Sequence, residues 1–313
     1  MQGLSRGPAA RYGLRAMPSQ LAESDWSLLL SRIERGACTA FLGPGVSHGH
    51  LPLPGDIAMR WADEGGYPLE DRWNFPRVAQ FMALQKGQRW MLDDLATTLS
   101  TAGAAPVAAD DPLGLLAELP FTTYVTTAHD DLLVRALRAS KVKSAVRRPR
   151  VDHCRWSDGL GSSSLATIFE QDPHYVPSAE EPFVFHLNGQ LPVEESLVLT
   201  EDDHFDLLVA TARHPHRVPP AVQRALRGGP LLFLGQPLTD WNFRALRRSL
   251  CGADFTGLQR GTVSVYTPLP AGNDEVVRLV ERNDERVGVK VYWGSTQAFL
   301  QELRERWSKA ARG

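Results

Sequence analysis

A short run of glycine and small residues has the composition of a phosphate-binding turn. The run is Gly43-Pro44-Gly45-Val46-Ser47, and it follows the small and apolar residues 38–42. Glycine lets a backbone turn tightly and approach a ligand closely, and the N–H groups of such a turn form a site for a diphosphate. Because Gly-x-Gly after a strand also occurs in loops that bind nothing, the interpretation depends on the rest of the chain.

Polar clusters also follow other apolar runs of the chain. Residues 126–131, 186–189 and 235–240 each lie at or directly after the end of such a run. In open parallel sheets, ligands bind at the carboxyl ends of the strands, so these clusters are placed to contact one ligand. His186 and Asn188 are two residues apart, and this spacing on a strand predicts that they face one site.

The apolar runs themselves predict strands that alternate with helices. Seven runs have strand character, namely residues 38–42, 121–126, 183–187, 196–199, 231–234, 263–266 and 287–293. Thr200 is placed to cap a helix after the fourth run. The alternation predicts an α/β fold, a Rossmann-like open and mostly parallel sheet with helices on both faces.

The remaining segments complete the predicted organisation. Residues 50–118 carry apolar side chains at helical spacing and predict a helical insertion over the glycine turn. Residues 1–18 lack periodicity and predict a disordered tail, which leaves residues 19–310 as one domain. The basic stretch 139–152 and the polar stretch 156–182 are typical of solvated loops.

Composition and charge exclude several classes of protein. The net charge of −2 gives no electrostatic basis for binding nucleic acid or a membrane surface. No apolar run approaches the ~20 residues that a membrane span needs, and the N-terminus lacks an apolar signal core. Cys38, Cys154 and Cys251 form no CxxC pair, so we expect no zinc and a reducing, cytoplasmic location.

The ordered clusters resemble the sirtuin-like (silent information regulator) superfamily, and most closely the bacterial sirtuin-like effectors of anti-phage defence. The likeness covers residues 24–310. The family's Gly-Ala-Gly-x-Ser motif is similar to residues 43–47, and its Thr-x-Asn-x-Asp motif to residues 126–130. Its strand ending in a histidine–glycine pair is similar to residues 186–189, and residues 199–203, 233–241 and 291–295 look like later segments of the effectors.

The resemblance implies an NAD hydrolase in which NAD is the substrate and loses nicotinamide to water. The absent CxxC pairs separate the chain from the zinc-bearing deacylases. Asp130 would orient the ribose, an Asn at position 128 would position ribose and water, and a histidine would act as base. The implied NAD-binding residues are Gly43, Pro44, Gly45, Val46, Ser47, Thr126, Thr127, Asp130, Gly235 and Asp240.

Two positions depart from the implied catalytic pattern. Position 128 holds Ala128, whose methyl group makes no hydrogen bond, and the position of the family histidine holds Asn188. His186 stands two residues earlier and either supplies the base or is structural. Ala128 is either a natural loss of function or an introduced Asn→Ala change that silences a toxic enzyme. The intact residues around it favour the introduced change.

Two main functions therefore remain open from the sequence, and a protein deacylase is a third and weaker interpretation, because zinc ligands are missing and a helical block covers the pocket. The first is an NAD hydrolase of bacterial abortive infection, impaired at Ala128. The alternative is a non-catalytic module that senses NAD or ADP-ribose within a larger assembly. In both cases we expect a homo-oligomer or other defence subunits as partners, with no membrane and no direct nucleic-acid contact. The activating trigger is not encoded in any motif that we find.

Overall fold

The computed structural model describes residues 21–142, 144–157, 167–236, 241–251, 261–267 and 273–310. The predicted tail, residues 1–18, lies outside these ranges. The described helices are α1 (Glu23–Glu34), α2 (Pro54–Gly65), α3 (Phe75–Lys86), α4 (Gln88–Ala102), α5 (Pro112–Ala117), α6 (Leu132–Ala139), α7 (Ile168–Gln171), α8 (Glu201–Arg213), α9 (Pro220–Gly228), α10 (Trp241–Cys251), α11 (Asp274–Glu285) and α12 (Thr296–Ala310).

Seven of the described strands form one parallel sheet. The strands are β1 (Thr39–Leu42), β2 (Thr123–Thr126), β3 (Lys141–Val142), β4 (Ala145–Val146), β5 (Arg150–His153), β6 (Phe183–His186), β7 (Leu231–Leu234), β8 (Val263–Tyr266) and β9 (Lys290–Trp293). The order in the sheet is β5-β6-β2-β1-β7-β8-β9, and every pairing in it is parallel. Strands β3 and β4 form a separate antiparallel hairpin.

Helices cover both faces of this sheet, because alternate residues of each strand point to opposite sides. On one face, Ala40 and Leu42 of β1 share a core with α1, with α2 to α6 and with α12. On the other face, Phe41 packs in a second core with α8, α9 and α10. The predicted α/β class and the Rossmann-like sheet are confirmed, and helices α2 to α5 lie between β1 and β2 in the chain.

The predicted strand at residues 196–199 is wrong. Residues 197–199 are buried but belong to no strand. The N–H of Val198 donates to the Asn188 carbonyl, and the N–H of Leu199 donates to the Asp203 carboxylate. These bonds lead to a loop and a helix cap, so the apolar character of the segment reflects burial and not sheet pairing.

The expectation of a loop at residues 139–152 is also wrong. The segment contains the β3–β4 hairpin and strand β5, which pairs with β6 at the edge of the sheet. Arg147 is buried at 1% exposure, where its guanidinium donates to the carbonyls of Ala117, Leu119 and Phe121. A buried cation is tolerated when such hydrogen bonds satisfy it, and this one caps the C-terminal end of α5.

None of the described helices has both the length and the hydrophobicity that a membrane span requires.

Candidate functional site

The order in which the chain adds strands to the sheet reverses between β1 and β7. From β1 the chain first builds the side of the sheet that holds β2, β6 and β5, and it later returns to place β7 on the other side of β1. In open α/β sheets a crevice forms at the carboxyl ends of the strands at such a switch point, and ligands bind there. The segments after β1, β2 and β7 meet at this edge, as the positions of the polar clusters predict.

The glycine motif after β1 packs directly against the segment after β7. The N–H of Gly43 donates to the Leu234 carbonyl at 2.9 Å, and the N–H of Gly45 donates to the Gly235 carbonyl at 3.1 Å. A Cβ atom on Gly43 would clash with the Gly235 carbonyl oxygen, and one on Gly45 would lie 2.8 Å from it. We call residues 43–47 and 235–236 the glycine junction, because glycine is required there for the two loops to touch.

This contact changes the interpretation of the turn. The sequence predicts free N–H groups for a diphosphate, but the N–H groups of Gly43 and Gly45 donate to β7 and its loop, and that of Val46 donates to the Gly43 carbonyl. The backbones of Pro44, Gly45 and Gly235 nevertheless line a cavity at this edge. A ligand would therefore contact the surface of the junction and would not be held by these three N–H groups.

The cavity has a volume of about 830 Å³. It lies between the strand ends, the helical segment of residues 51–99 and helices α8 and α10. Small-molecule sites commonly occupy roughly 300–1,000 Å³, so the space suits a ligand of dinucleotide class.

The predicted site residues that line the cavity are Pro44, Gly45, Thr127, Ala128, Asp130, Asn188 and Gly235. Those that do not are Gly43, Val46, Ser47, Thr126 and His186. Asp240 lies outside the described residues.

A hydrogen bond connects Ala128 and His186, but only Ala128 lines the cavity. The methyl group of Ala128 lies in the cavity wall, while the Ala128 carbonyl accepts a hydrogen bond from His186 Nδ1 at 3.0 Å. His186 is 1% exposed, its Nε2 has no hydrogen-bond partner, and burial lowers its pKa to about 4. A neutral imidazole of this kind holds the backbone of residue 128 in place from behind the cavity wall.

Asn188 lines the cavity although His186 does not. Strand β6 ends at His186, and residues 187–188 form a turn that leads to Gly189 at φ +82°. The alternation that would place both side chains on one face therefore stops at the strand end. The buried Oδ1 atom of Asn188 has no hydrogen-bond partner, which leaves an acceptor at the cavity available to a ligand.

Two titratable groups next to Ala128 also line the cavity. His129 Nδ1 donates to the Gly189 carbonyl at 3.4 Å, and desolvation lowers the pKa of His129 to about 4. Desolvation raises the pKa of Asp130, although its Oδ1 accepts a hydrogen bond from the Leu132 N–H at 3.0 Å. A neutral histidine beside a half-buried carboxyl group provides a proton acceptor and a polar contact for a sugar hydroxyl.

Gln236 lines the cavity; it lies in the polar cluster of residues 235–240, but the sequence does not single it out as a site residue. Its Oε1 accepts a hydrogen bond from Thr127 Oγ1 at 3.0 Å, and this bond joins the glycine junction to the loop after β2. Its place directly after Gly235 is the signal that could have identified it. Arg77 of α3 also lines the cavity, and its guanidinium pairs with Asp71 at 2.7 Å and with Glu201 at 3.1 Å.

The described residues contain no group of three or more His, Cys, Asp or Glu side chains that could hold a metal ion. Cys38 and Cys154 are buried free thiols, and desolvation raises the pKa of each to about 12. These two residues are therefore packing groups and not reactive nucleophiles.

Comparison with known proteins agrees with this geometry. No curated protein sequence shows a significant match to the chain. Residues 122–288 match the SIR2-like domain family, and this range includes β2, β6 and β7 with the cavity residues that follow them. SIR2-like domains use NAD. Because the match covers more than half of the sequence, the chain belongs to the SIR2-like domain family.

Proposed function

We propose that this domain binds NAD or a related ADP-ribose compound in the cavity and turns it over poorly, so that it acts as a sensing module. The observation that carries the proposal is the pair of side chains at the implied catalytic positions. Ala128 presents a methyl group to the cavity, and Asn188 presents an amide where the family resemblance implies a histidine. Neither group can take a proton from water at neutral pH.

The fit of an NAD-type ligand rests on the site and not on the glycine motif alone. The cavity lies at the switch point of the sheet, where dinucleotides bind in related architectures. The unpartnered Oδ1 of Asn188 supplies an acceptor for a ribose hydroxyl or a carboxamide. Asp130 and Thr127 add polar groups at the same edge.

Poor turnover follows from what residue 128 can contact. Cleavage of the bond to nicotinamide needs a positioned water and stabilisation of positive charge on the ribose. An amide at position 128 could hold that water or a ribose hydroxyl, whereas a methyl group can do neither. Loss of one such positioned group costs on the order of 10²–10³ in rate. His186 does not compensate, because its ring lies behind the wall.

A second candidate is residual NAD hydrolysis with His129 as the base. The observation in its favour is that His129 lines the cavity beside Ala128 and is held neutral by desolvation. A neutral imidazole accepts a proton from an attacking water. If this is the reaction, His129→Gln should remove any measurable nicotinamide release while NAD binding persists.

The resemblance to anti-phage effectors supplies the proposed biological setting. It rests on the order of the motifs in residues 43–47, 126–130 and 186–189 and on the absence of CxxC pairs. Phage plaque counts on bacteria that carry the gene within its native operon test this setting. A plaque count equal to that of an empty strain would reject it.

Titration calorimetry with NAD tests binding. We expect saturable binding of NAD and ADP-ribose, and we expect Asn188→Leu to weaken it by about tenfold because the unpartnered acceptor is lost. Asn283→Leu on α11 makes the same change away from the cavity and should leave binding unchanged. Absence of binding by the unmodified chain would reject the proposed function.

A further inference from the structure

Helices α8 to α10 and the segments between them carry charge of almost one sign. Residues 207–251 contain seven arginines and no lysine, and their single acidic residue, Asp240, lies outside the described ranges. The chain as a whole has a net charge of −2, so the rest of it is more acidic than this average. Net charge alone argues against nucleic-acid binding, but it does not show whether cations gather on one surface.

Five of these arginines are exposed in the described structure, and we call them the arginine patch: Arg213, Arg224, Arg227, Arg244 and Arg248. Arg244 and Arg248 are four residues apart on α10, and Arg224 and Arg227 are three apart on α9. Residues at these spacings are neighbours on the surface of a helix. Both helices therefore present two arginines side by side.

Two hydrogen bonds bring the ends of the three helices together. Thr211 Oγ1 and Ser249 Oγ are hydrogen-bonded at 3.0 Å, which links the last turn of α8 to that of α10. Arg227 Nε donates to the Leu250 carbonyl at 2.8 Å, which links the last turn of α9 to that of α10. The last turns of α8, α9 and α10 thus meet, and each carries one arginine of the patch.

These last turns lie away from the cavity. Helix α10 connects the parallel strands β7 and β8, so it runs back from the carboxyl ends of the strands to their amino ends. The cavity lies at the carboxyl ends, and none of the five arginines lines it. The arginine patch is therefore a surface separate from the proposed NAD site.

Some arginines elsewhere in the chain are neutralised by carboxylates. Arg60 pairs with Asp94 at 2.6 Å, and Arg306 pairs with Glu23 at 2.7 Å. In the part of the chain that the structure describes, no carboxylate forms an ion pair with any arginine of the patch. Its positive charge is therefore available to an external anion.

Helix dipoles account for only part of this charge. Arginine near a helix C-terminus is stabilised by the dipole, which places about half a negative elementary charge at each end. Three such ends offset less than two of the five arginine charges. Arg224 and Arg244 lie at least one turn before the ends of α9 and α10, where the effect of the dipole has faded.

We propose that the arginine patch binds the phosphate backbone of nucleic acid without reading the bases. A guanidinium group is planar and donates two parallel hydrogen bonds to a phosphate, which suits a surface that has arginine and no lysine. Packed helices lie about 8–10 Å apart, so three adjoining helix ends span roughly 20 Å. One strand of a duplex presents a phosphate every ~3.4 Å along its axis, so this span faces several phosphates.

The composition of the surface favours nucleic acid over a protein or a membrane. Among the described residues of the range 207–251, Val209 is the one large hydrophobic side chain in the exposed class. Protein interfaces have an apolar core, and helices that lie on membranes insert apolar side chains. Contacts to a phosphate backbone need only cations, because release of counterions supplies the free energy of binding.

Fluorescence anisotropy with a labelled DNA duplex of about 20 base pairs tests the arginine patch. We expect a Kd on the order of 10⁻⁴–10⁻⁶ M at physiological salt, independent of base sequence. Arg244→Gln combined with Arg248→Gln should weaken binding about tenfold or more and lower the slope of log K against log salt by about 2. The matched control is Arg278→Gln combined with Arg282→Gln on α11. These two arginines are also exposed and four residues apart, but α11 carries carboxylates as well, so binding should not change.

The other results would overturn the proposal. DNA binding that is absent in the unmodified chain, or that both pairs of substitutions weaken equally, would show that the patch is not a nucleic-acid site. Poly-glutamate that binds as tightly as the duplex would favour an acidic protein partner instead. Thermal unfolding of the variants should match that of the unmodified chain, because the substituted side chains are exposed. If the α10 pair lowers stability, Arg213→Gln combined with Arg224→Gln should give the same loss of binding.

Discussion

The glycine junction and the loops that follow β2 and β6 border one cavity but are built in opposite ways. At the junction, the N–H groups of Gly43 and Gly45 are paired with backbone carbonyls, and the contact is made almost entirely by main chain. In residues 127–130 and 186–190, several side chains reach the cavity and a buried Asn188 oxygen lacks a partner. His129 and His186 in these segments have lowered pKa values.

The difference indicates that the junction has a structural role and that the neighbouring loops carry the groups for binding or reaction. Because the backbone hydrogen bonds of the junction are formed and its glycines are closely packed, the junction is rigid and holds β1 and β7 at a fixed separation. Unpaired polar atoms and shifted pKa values mark groups whose partners arrive with a ligand or a reaction. A motif known for binding phosphate can thus serve mainly as the frame of the site, while the neighbouring loops determine what the site does.

The largest expected effect is on stability at the junction. Gly235 has φ +63°, and a Cβ there would clash with the Val46 nitrogen. Gly235→Ala should therefore lower the free energy of unfolding by about 3 kcal/mol or more in urea titration, since backbone strain and overpacking add. Gly66 has φ +66° with nothing within 4 Å, so Gly66→Ala should cost only about 1 kcal/mol. Equal losses would show that the junction is not tightly packed.

The next largest effect is on the pH dependence of the free energy of unfolding, and it comes from two histidines in the loops around the cavity. His129 and His186 have pKa values lowered from 6.5 to about 4, so the folded rings stay neutral while the unfolded rings take up protons. The contribution of each ring to the free energy of unfolding is therefore fully present above pH 6.5. It is lost as the pH falls toward 4, by up to about 3 kcal/mol for each ring. Urea titrations at pH 7 and pH 4.5 measure the loss.

A matched pair of variants sharpens this second prediction. His186→Gln should make the loss between pH 7 and pH 4.5 clearly smaller, because one buried ring no longer contributes. His174 is exposed, so His174→Gln should leave the loss as it is in the unmodified chain. A loss that is the same in all three proteins would show that the buried histidines do not cause it.

The smallest effect concerns the bond between the two regions. Thr127 Oγ1 donates to Gln236 Oε1 at 3.0 Å. Thr127→Val keeps the shape of the side chain and should lower the free energy of unfolding by about 1 kcal/mol. A double-mutant cycle with Gln236→Leu should give a coupling of roughly 0.5–1.5 kcal/mol. Simple additivity of the two changes would show that the regions are independent.

Much of the sheet could be predicted because its central strands are buried along their whole length and consist mainly of apolar, aromatic and β-branched residues. Strand β5 was missed because Arg150 and its basic neighbours indicate a solvated loop, although an edge strand tolerates such residues. The Thr200 cap of α8 was correct because capping depends on local sequence, and Thr200 Oγ1 accepts from the Asp203 N–H.

The site was harder to predict because its contacts are distant in sequence. Gly43 and Gly235 touch only in the folded chain, so their glycine requirement reads as ligand binding when the sequence is taken alone. His186 and Asn188 diverge because the strand ends between them, and strand boundaries are not fixed by composition. The cavity and the hydrogen bond between Gln236 and Thr127 depend on packing that no local pattern encodes.

Nicotinamide release from NAD by the unmodified chain and by two variants tests the central claim most directly. The account predicts negligible release by the unmodified chain despite NAD binding. It predicts that the rate of nicotinamide release rises on the order of 10²-fold or more when Ala128→Asn is combined with Asn188→His, because a positioned amide and a base then both face the cavity. Ala128→Asn alone should give a smaller rise. Substantial release by the unmodified chain that neither change alters would contradict the account.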